Sequence, residues 1–376
     1  MALSVWEREV YYNHKQVVIV GAGLAGLWSA IELKRRNSQL KILMLEKGVI
    51  PGGASTRNAG FACFGSPTEL LHDAGTIGAE NMLTITEMRY KGINKIRSFF
   101  GDKAIEFDPC YGYELLDDKY NNAGELDDKL AWLNKQLQLI TGQEQTFLRD
   151  NKKLKQFNFN NLKNLIENKL EGGLHSGKLV QLLTRYARDR GVEIMTGMEV
   201  KGYTKSGNIV HVHVSNNEDI TCDKLLISIN GFTSNLIKNT PITPARGQVL
   251  LTAPIPSLPF SGTFHADEGF YYFRNLGDRV LLGGARNKAF QEEATTQEGI
   301  TTLIQSELEQ FLKEKILPGR LFTIENRWSG IMGFTSSKQP VAEEVEPGIF
   351  MLIACNGMGV ALTPVMAEKM ATLMLE

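Results

Sequence analysis

The sequence predicts an α/β protein in which a Rossmann-like nucleotide-binding domain is interleaved with an α+β domain built on an antiparallel sheet. Three observations support this prediction. A short β-branched run at 17–20 leads directly into a glycine-rich turn and then a helix. Strand and helix patterns of the same kind return near residue 170 and at the C-terminus, whereas 241–324 alternates like β-strands. The 376 residues, 43% hydrophobic and 22% charged, suffice for two globular domains.

The first strand and the turn after it have the spacing of a dinucleotide fingerprint. In this pattern Gly21 makes the tight turn, Gly23 lets the backbone approach a pyrophosphate, and Gly26 lets the helix pack closely on the strand. The helix N-terminus presents free N–H groups to the phosphates. Glu46 ends the next strand, 20 residues after Gly26, where a carboxylate accepts ribose hydroxyls. A glycine-rich turn alone would be ambiguous, but with strand, helix and acid in place we predict dinucleotide binding.

A second glycine-rich stretch at 51–61 favours FAD over a nicotinamide cofactor. Its backbone donors and small side chains suit a long, bulky ligand, and Ser55 and Arg57 can meet phosphate oxygens. The alternative is a mobile surface turn.

The remaining segments complete the predicted organisation. They are, in order, a mostly helical and polar stretch at 66–169, a helix at 179–189, strands at 192–195 (continued at 199–203), 211–214 and 224–230, β-like alternation at 241–324, a strand at 349–354, a loop at 355–359 and a helix from about 360. We therefore assign 1–65, 170–240 and 325–376 to the FAD-binding domain, and 66–169 and 241–324 to a substrate domain. The last loop would place a helix N-terminus at the ligand.

Composition excludes several classes of protein. With 41 Lys and Arg against 42 Asp and Glu, nothing favours binding to nucleic acid. The four cysteines, Cys63, Cys110, Cys222 and Cys355, are too dispersed for a metal cluster or a disulfide framework, so we expect reduced thiols and no metal. No apolar run is long enough to span a membrane, and we expect a cytoplasmic protein.

Together these residues resemble the D-amino-acid-oxidase-type flavoproteins, the group that holds glycine oxidase, sarcosine oxidase and γ-glutamylputrescine oxidase. The resemblance covers nearly the whole chain and rests on 18–26, 53–58, 173–179, 244–248, 271–284, 327–330 and 356–359. The GAS-x-RN segment at 53–58 and the YYFR…GG stretch at 271–284 look closest to the γ-glutamylputrescine oxidase branch.

The resemblance implies an FAD enzyme that oxidises a C–N bond of a small amine or amino acid by hydride transfer to flavin N5. Oxygen, or a quinone or carrier, would then accept the electrons. The cofactor-binding positions that it implies are Gly21, Gly23, Leu24, Ala25, Gly26, Glu46, Lys47, Gly53, Ala54, Ser55, Arg57, Asn58, Ala59, Gly60, Val200, Gly231, Gly357, Met358, Gly359 and Val360.

One departure from the family pattern concerns Met332. Sarcosine oxidases have a flavin-linked Cys near this position, and glycine-oxidase-like members have a carboxylate-binding Arg there. The resemblance therefore implies non-covalent FAD and no usual carboxylate clamp, unless Arg274 or Arg286 substitutes.

Four side chains are candidates for the substrate pocket: Tyr272, Arg274, Met332 and Phe334. Tyr271 and Tyr272 point to opposite faces of a strand, so one of them can line a site, and Tyr272 shares its face with Arg274. Ordinary sheet and core packing is the alternative for all four.

Two other functions remain open at this level. One is a dehydrogenase that passes electrons to a quinone or carrier. The other is a non-catalytic flavin-binding or redox-sensing protein, which the missing Arg at Met332 allows.

Overall fold

The computed structural model describes residues 3–120, 122–216, 218–353 and 355–376, and the chain divides into two compact units. The first unit comprises Met1–Thr56, Gly177–Pro244 and Met332–Glu376, and the second comprises Arg57–Ser176 and Ala245–Ile331. The sequence had placed these boundaries after residues 65, 169, 240 and 324. Ala354, the last residue of the strand predicted at 349–354, lies outside the described residues.

The chain contains both helices and strands throughout its length. The helices are α1 (Val5–Val10), α2 (Leu24–Arg36), α3 (Ala54–Arg57), α4 (Pro67–Thr76), α5 (Ala79–Phe100), α6 (Ala123–Thr141), α7 (Lys152–Gln156), α8 (Ser176–Arg188), α9 (Thr302–Phe311) and α10 (Gly359–Leu375). The strands are β1 (Lys15–Val20), β2 (Ile42–Glu46), β3 (Phe61–Ala62), β4 (Gly112–Leu116), β5 (Leu148–Arg149), β6 (Asn164–Asn168), β7 (Gly172–Gly173), β8 (Glu193–Thr196), β9 (Val200–Ser206), β10 (Ile209–Val214), β11 (Asp219–Ile227), β12 (Thr243–Thr252), β13 (Thr263–Ala266), β14 (Tyr271–Leu276), β15 (Arg279–Gly284), β16 (Ile324–Phe334), β17 (Val341–Glu346) and β18 (Ile349–Ile353). None of the described helices combines the length and apolar character that a bilayer crossing requires.

The first unit is built around β1, which lies between two parallel neighbours. Its sheet runs β17-β18-β11-β1-β2-β8, with β10 beside β11 and β9 beside β10. Residues 17–20 of β1 are all buried, which explains their unbroken apolar character in a strand covered on both faces. Helices α2 and α10 pack against each other. This unit therefore has the parallel, helix-covered sheet that a Rossmann-like fold requires.

The second unit has an eight-stranded sheet in the order β16-β12-β15-β14-β13-β4-β6-β5. The sequence predicted an antiparallel sheet, but β13 and β4 run parallel. These two strands come from distant segments of the chain, so no hairpin forces them to be antiparallel. One face of the sheet is covered by a dry aromatic core, in which Phe264 stacks on Phe273 with ring centroids 4.5 Å apart.

Two details about individual strands were not predicted. The stretch 66–169 is mostly helical, as predicted, with α4 to α7, but it also supplies β4, β6 and β5 to one end of the second sheet. Buried Glu114 lies in β4 and buried Glu167 lies in β6, and charged residues such as these make the two segments look unlike strands in the sequence. Each carboxylate can be buried because it has a bonding partner inside the unit. Residues 199–203 do not continue β8. They belong to β9, which pairs with β10 in an antiparallel hairpin.

Replacing Phe264 by Ala should lower the free energy of unfolding by about 3–5 kcal/mol, because it opens a cavity in a fully buried aromatic stack. Urea denaturation followed by tryptophan fluorescence measures the change. Leu321, which is 98% exposed, provides the control, and its change to Ala should alter the free energy by less than about 0.5 kcal/mol. Equal effects of the two changes would contradict this account of the core.

Candidate functional site

The turn after β1 has the backbone geometry that the glycine pattern predicts. Gly21 has φ +99°, a conformation that residues with a side chain rarely adopt. A Cβ on Gly26 would lie 2.1 Å from the carbonyl oxygen of Gly21, so the helix can pack on the strand only without a side chain there. Gly23 is the N-cap of α2, and a Cβ on it would lie 2.7 Å from the Ser55 hydroxyl. Both positions are too close to neighbouring atoms to accept a side chain without a shift.

Two polar side chains are held at this turn by backbone N–H groups. Glu46 Oε2 accepts a hydrogen bond from the N–H of Ala22 (3.0 Å), and its Oε1 accepts one from Gly48 (3.0 Å). The Ser55 hydroxyl accepts a hydrogen bond from the N–H of Leu24 at 2.9 Å. These contacts fix a carboxylate and a hydroxyl beside the start of α2, where the sequence predicts that a dinucleotide binds.

Within the same unit, the loop before α10 lies beside the end of β16. Gly357 has φ +81°, and a Cβ on it would lie 3.8 Å from Met332 Sδ and 3.9 Å from the ring of Phe334. The side chain of Asn356 accepts a hydrogen bond from the N–H of Thr335. Met332 and Phe334, predicted as pocket residues, are therefore half-buried neighbours of the loop at which α10 begins.

The other predicted cofactor residues of the first unit are less constrained. Lys47 is exposed and forms an ion pair with Glu199 at 2.8 Å, next to Val200 at the start of β9. Gly231 is buried, and its N–H lies 3.1 Å from the position of a Cβ on Gly333. These residues surround the sheet edge where β1 and β2 end, but the structure gives each of them a contact of its own.

In the second unit, the predicted residues 57–60 form a fixed turn. Arg57 donates to the carbonyl oxygen of Ser329 (2.9 Å), and the Trp328 indole donates to the carbonyl oxygen of Arg57. Asn58 Oδ1 accepts hydrogen bonds from the Gly60 N–H and the Ser176 hydroxyl. The sequence predicted that Arg57 contacts phosphate oxygens. In the structure one of its guanidinium nitrogens donates a hydrogen bond to the backbone of β16.

Arg274 holds this turn in place through hydrogen bonds to backbone carbonyl groups. It is only 5% exposed, and its Nη1 donates to the carbonyl oxygens of Gly60 (2.7 Å) and Leu174 (3.2 Å). A Cβ on Gly173 would lie 2.1 Å from Nη2, so the glycine makes room for the guanidinium. Burial lowers the pKa of Arg274. We infer that Arg274 positions the backbone of this turn, and that a residue other than Arg274 would bind a substrate carboxylate.

Tyr271 and Tyr272 lie on opposite faces of β14, as their alternation predicted. Tyr271 stacks on Phe311 in the aromatic core at 4.3 Å. Tyr272 lies across the opposite face, where a Cβ on Gly283 would be 2.7 Å from its hydroxyl. Burial raises the pKa of Tyr272 to about 12, and the charge of Arg286 opposes that shift. The Tyr272 hydroxyl and Arg286 are thus electrostatic neighbours.

The sequence analysis did not identify a buried set of ionisable residues on this same face. Its members are Glu69, Arg89, Glu114, Glu171 and His265. The residues are dispersed over 200 positions of the chain, and no local motif unites them. The one available signal was polar residues inside otherwise strand-like segments.

The chain is similar to known proteins over nearly its whole length. The model of a family described as FAD dependent oxidoreductase matches residues 16–373. A probable oxidoreductase of Haemophilus influenzae, OrdL, is 24% identical over 372 residues, covering 93% of this chain and 80% of that protein. Glycine oxidase from Geobacillus kaustophilus has a TM-score of 0.77 and 17% identity, covering 96% of this chain and 95% of that one. L-proline dehydrogenase from P. horikoshii has a TM-score of 0.74 and 16% identity, covering 96% and 93%. The two structures share the fold.

Replacing Gly23 by Val should abolish retention of FAD, because the new side chain would fill the space at the start of α2 that the pyrophosphate needs. The flavin absorbance of the purified protein, relative to protein concentration, measures this. Gly202→Val is the matched control in the same unit, since the nearest atom to its Cβ is 3.9 Å away in an open strand. A folded Gly23→Val protein with full flavin content would disprove the assignment.

Proposed function

The chain belongs to the family of FAD dependent oxidoreductases, and we propose that it oxidises the C–N bond of a small amine or amino acid. FAD, when bound, supplies the hydride acceptor at N5. The first unit supports this cofactor with the open glycine turn, the fixed carboxylate of Glu46 and the α10 N-terminus. Residue 332 is a methionine and not the cysteine that carries the flavin in sarcosine oxidases, so we propose that FAD is held non-covalently.

The observation that supports a small organic substrate is the character of the second sheet's other face, opposite the aromatic core. Ala59, Val249 and Leu281 form a small apolar cluster there, against which Phe61 and Tyr272 pack. The Tyr272 hydroxyl has no hydrogen-bond partner among the described residues. A mostly apolar surface with a few polar groups is the usual character of a small-molecule site. We propose that Tyr272 contacts the substrate.

Arg286 extends this surface with a positive charge. Its guanidinium carbon lies 5.0 Å from the centre of the Phe290 ring, and burial lowers its pKa while the nearby Tyr272 and Glu293 raise it. Glu293 already accepts two hydrogen bonds from Arg246, at 2.8 and 2.9 Å.

We therefore propose that Arg286 and Tyr272 anchor an anionic group of the substrate, which makes an amino acid a better substrate than a plain amine. Arginine suits this role because its planar donors match a carboxylate. Arg274 does not compete for the role, because its guanidinium holds Gly60 and Leu174.

The electron acceptor distinguishes two versions of this proposal. Glycine oxidase and L-proline dehydrogenase share the fold, and their names describe an oxidase and a dehydrogenase. The fold therefore accommodates either type of acceptor. A non-catalytic flavin protein is the remaining alternative, and the polar anchor beside an apolar cluster favours an enzyme over it.

The purified protein should show a flavin spectrum that bleaches under anaerobic conditions with at least one small amino acid or amine. An α-hydroxy acid of the same size serves as the control and should leave the spectrum unchanged, because the proposed reaction removes a hydride from a carbon that bears nitrogen. Readmitting air then separates an oxidase, which recovers the oxidised spectrum at once, from a dehydrogenase. A flavin that no nitrogen compound reduces would support the non-catalytic alternative.

Arg286→Met should raise KM for an amino acid substrate by about tenfold to a hundredfold, since a charge-assisted hydrogen bond contributes about 1.5–3 kcal/mol. KM for the corresponding decarboxylated amine should change little, because that compound has no anionic group for Arg286 to bind. Arg279→Met is the control: Arg279 forms a surface ion pair with Glu325 and should affect neither substrate. An equal rise in KM for both compounds would argue against Arg286 as the anchor.

A further inference from the structure

Three carboxyl groups are enclosed in the second unit beneath the segment that follows β3. Glu114 on β4 is 1% exposed, Glu171 just before β7 is 3% exposed, and the side chain of Glu69 on α4 is 16% exposed. We refer to these three as the carboxyl cluster. Among the residues that the structure describes, one guanidinium faces it, that of Arg89 on α5, which is 2% exposed and pairs with Glu69 at 2.9 Å.

The two deepest carboxyl groups are held by neutral donors. Glu114 accepts hydrogen bonds from the Ser66 hydroxyl (2.9 Å) and from both the N–H and the hydroxyl of Thr68. Glu171 accepts one from the N–H of Phe64 at 2.7 Å. A Cβ on Gly112 would lie 2.2 Å from Glu171 Oε2, so the space for this carboxyl group exists only because β4 has a glycine there. The fold therefore encloses these groups without giving them a cation.

The charges do not balance if all three carboxyl groups are ionised. Three negative charges would then face the single positive charge of Arg89, in a region from which water is largely excluded, and like charges in such a region favour protonation. Burial raises the pKa of Glu114 to about 7 and that of Glu171 to about 8, although hydrogen bonds from the 64–68 segment oppose the shift. The cluster thus changes its charge close to neutral pH.

His265 links this cluster to the face that bears Tyr272. In the register of the sheet, His265 on β13 is paired with Tyr272 on β14 on one side and with Glu114 on β4 on the other. Paired residues of adjacent strands point to the same face, about 4.8 Å apart along the hydrogen-bonding direction. Tyr272, His265 and Glu114 therefore form one row of protonatable side chains across three strands.

Two buried nitrogen atoms in this region lack a partner among the described residues. His265 is 7% exposed and its Nε2 makes no hydrogen bond, and neither does Nε of Arg89. Burial lowers the pKa of His265 to about 4, so its ring is neutral, and Nε2 can donate or accept a hydrogen bond according to the tautomer. Buried polar atoms without partners mark the places where ordered water or a ligand binds. The cluster and the row thus have the means to exchange a proton.

We propose that Glu114 and Glu171 act as an internal proton acceptor, connected through His265 to Tyr272, for the proton that the substrate ammonium loses during oxidation. The inference rests on the proposed function. In that reaction R₂CH–NH₃⁺ loses a hydride, with its two electrons, to oxidised flavin and loses one N–H proton, leaving R₂C=NH₂⁺. The proton is the product that an internal carboxylate takes up. Glu114 and Glu171 are positioning and proton-holding residues here, since neither touches the substrate.

Other ionisable groups around the cluster are less suited to this role. Burial, together with Glu171 and Glu69, raises the pKa of the Cys63 thiol well above its usual value, so it stays protonated. Burial also raises the pKa of Tyr120, whose ring lies within the influence of Glu114. Glu69 is paired with Arg89, whereas Glu114 and Glu171 form no such ion pair among the described residues. Glu114 and Glu171 are left as the groups that gain and lose a proton near neutrality.

The decisive experiment measures protons released during anaerobic reduction of the flavin by an amino acid, in weakly buffered solution with a pH indicator at pH 7.5. Glu171→Gln and Glu114→Gln should each release up to one more proton per flavin than the wild-type holoenzyme, in phase with bleaching. The comparison is between proteins, so the protonation of the flavin itself cancels. Glu307→Gln is the matched control, because Glu307 lies beside Tyr271 on the other face of the sheet. Equal release from all four proteins overturns the proposal.

Infrared spectroscopy of the oxidised holoenzyme tests the cluster without any substrate. The wild type should show the C=O band of a protonated, buried carboxylic acid at pH 6, and the band should disappear as the pH rises through 7 to 8. Each Gln variant should weaken it, and Glu307→Gln should not. Absence of the band overturns the proposal. If no nitrogen compound reduces the flavin, the proposed function is wrong, and so is the proposed source of the proton. The infrared band would still report the protonation of the cluster.

Protonation of Glu114 and Glu171 also changes the stability of the protein with pH. Measuring the stability of the variants therefore tests the same titration and shows that the variants fold. Because the folded pKa values lie above the unfolded value of 4.5, the stabilising contribution is complete below about pH 4.5 and is lost as pH rises through 7 to 8. Glu171→Gln should therefore gain thermal stability relative to wild type between pH 5 and pH 9. A constant difference across this range contradicts a cluster that titrates near neutrality.

Discussion

The close approach of α2 to the end of β1 is the constraint on which the first unit depends. A buried parallel strand must pass its chain to a helix that packs on it, and the carbonyl oxygen of Gly21 leaves no room for a Cβ on Gly26. The same turn also carries the hydrogen bonds from Ala22 to Glu46 and from Leu24 to Ser55, which fix a carboxylate and a hydroxyl beside the first turn of α2. Packing and ligand binding are consequences of one piece of backbone geometry.

The two faces of the sheet in the second unit differ in chemical character. The face with Phe264 and Phe273 is dry and aromatic, and it gives the unit its stability. The opposite face bears Tyr272, His265 and Glu114, and their polar atoms are only partly satisfied. Alternation along β13 and β14 assigns neighbouring residues to opposite faces, so a rigid core and a reactive surface are built from the same strands.

Sequence reasoning was most accurate where a function depends on local backbone geometry. Gly21, Gly23 and Gly26 could be interpreted without a structure because strand, turn and helix follow one another directly. Arg274 shows its limit, because the sequence pattern suits a substrate ligand and gives no sign of the contacts that the side chain makes. The guanidinium instead reaches Gly60 and Leu174, which are 214 and 100 residues away along the chain. No local pattern could reveal that its hydrogen bonds are used in this way.

The sequence by itself determined the nucleotide-binding turn, the family resemblance and the alternation that separates Tyr271 from Tyr272, because each depends on residues adjacent or nearly adjacent in the chain. Only the tertiary structure decided which charges are buried and what they face. Glu69, Arg89, Glu114, Glu171 and His265 come from helices, strands and turns that are distant in sequence. Their protonation depends on the distance to other charges and on the exclusion of water, and both arise only when those elements pack together.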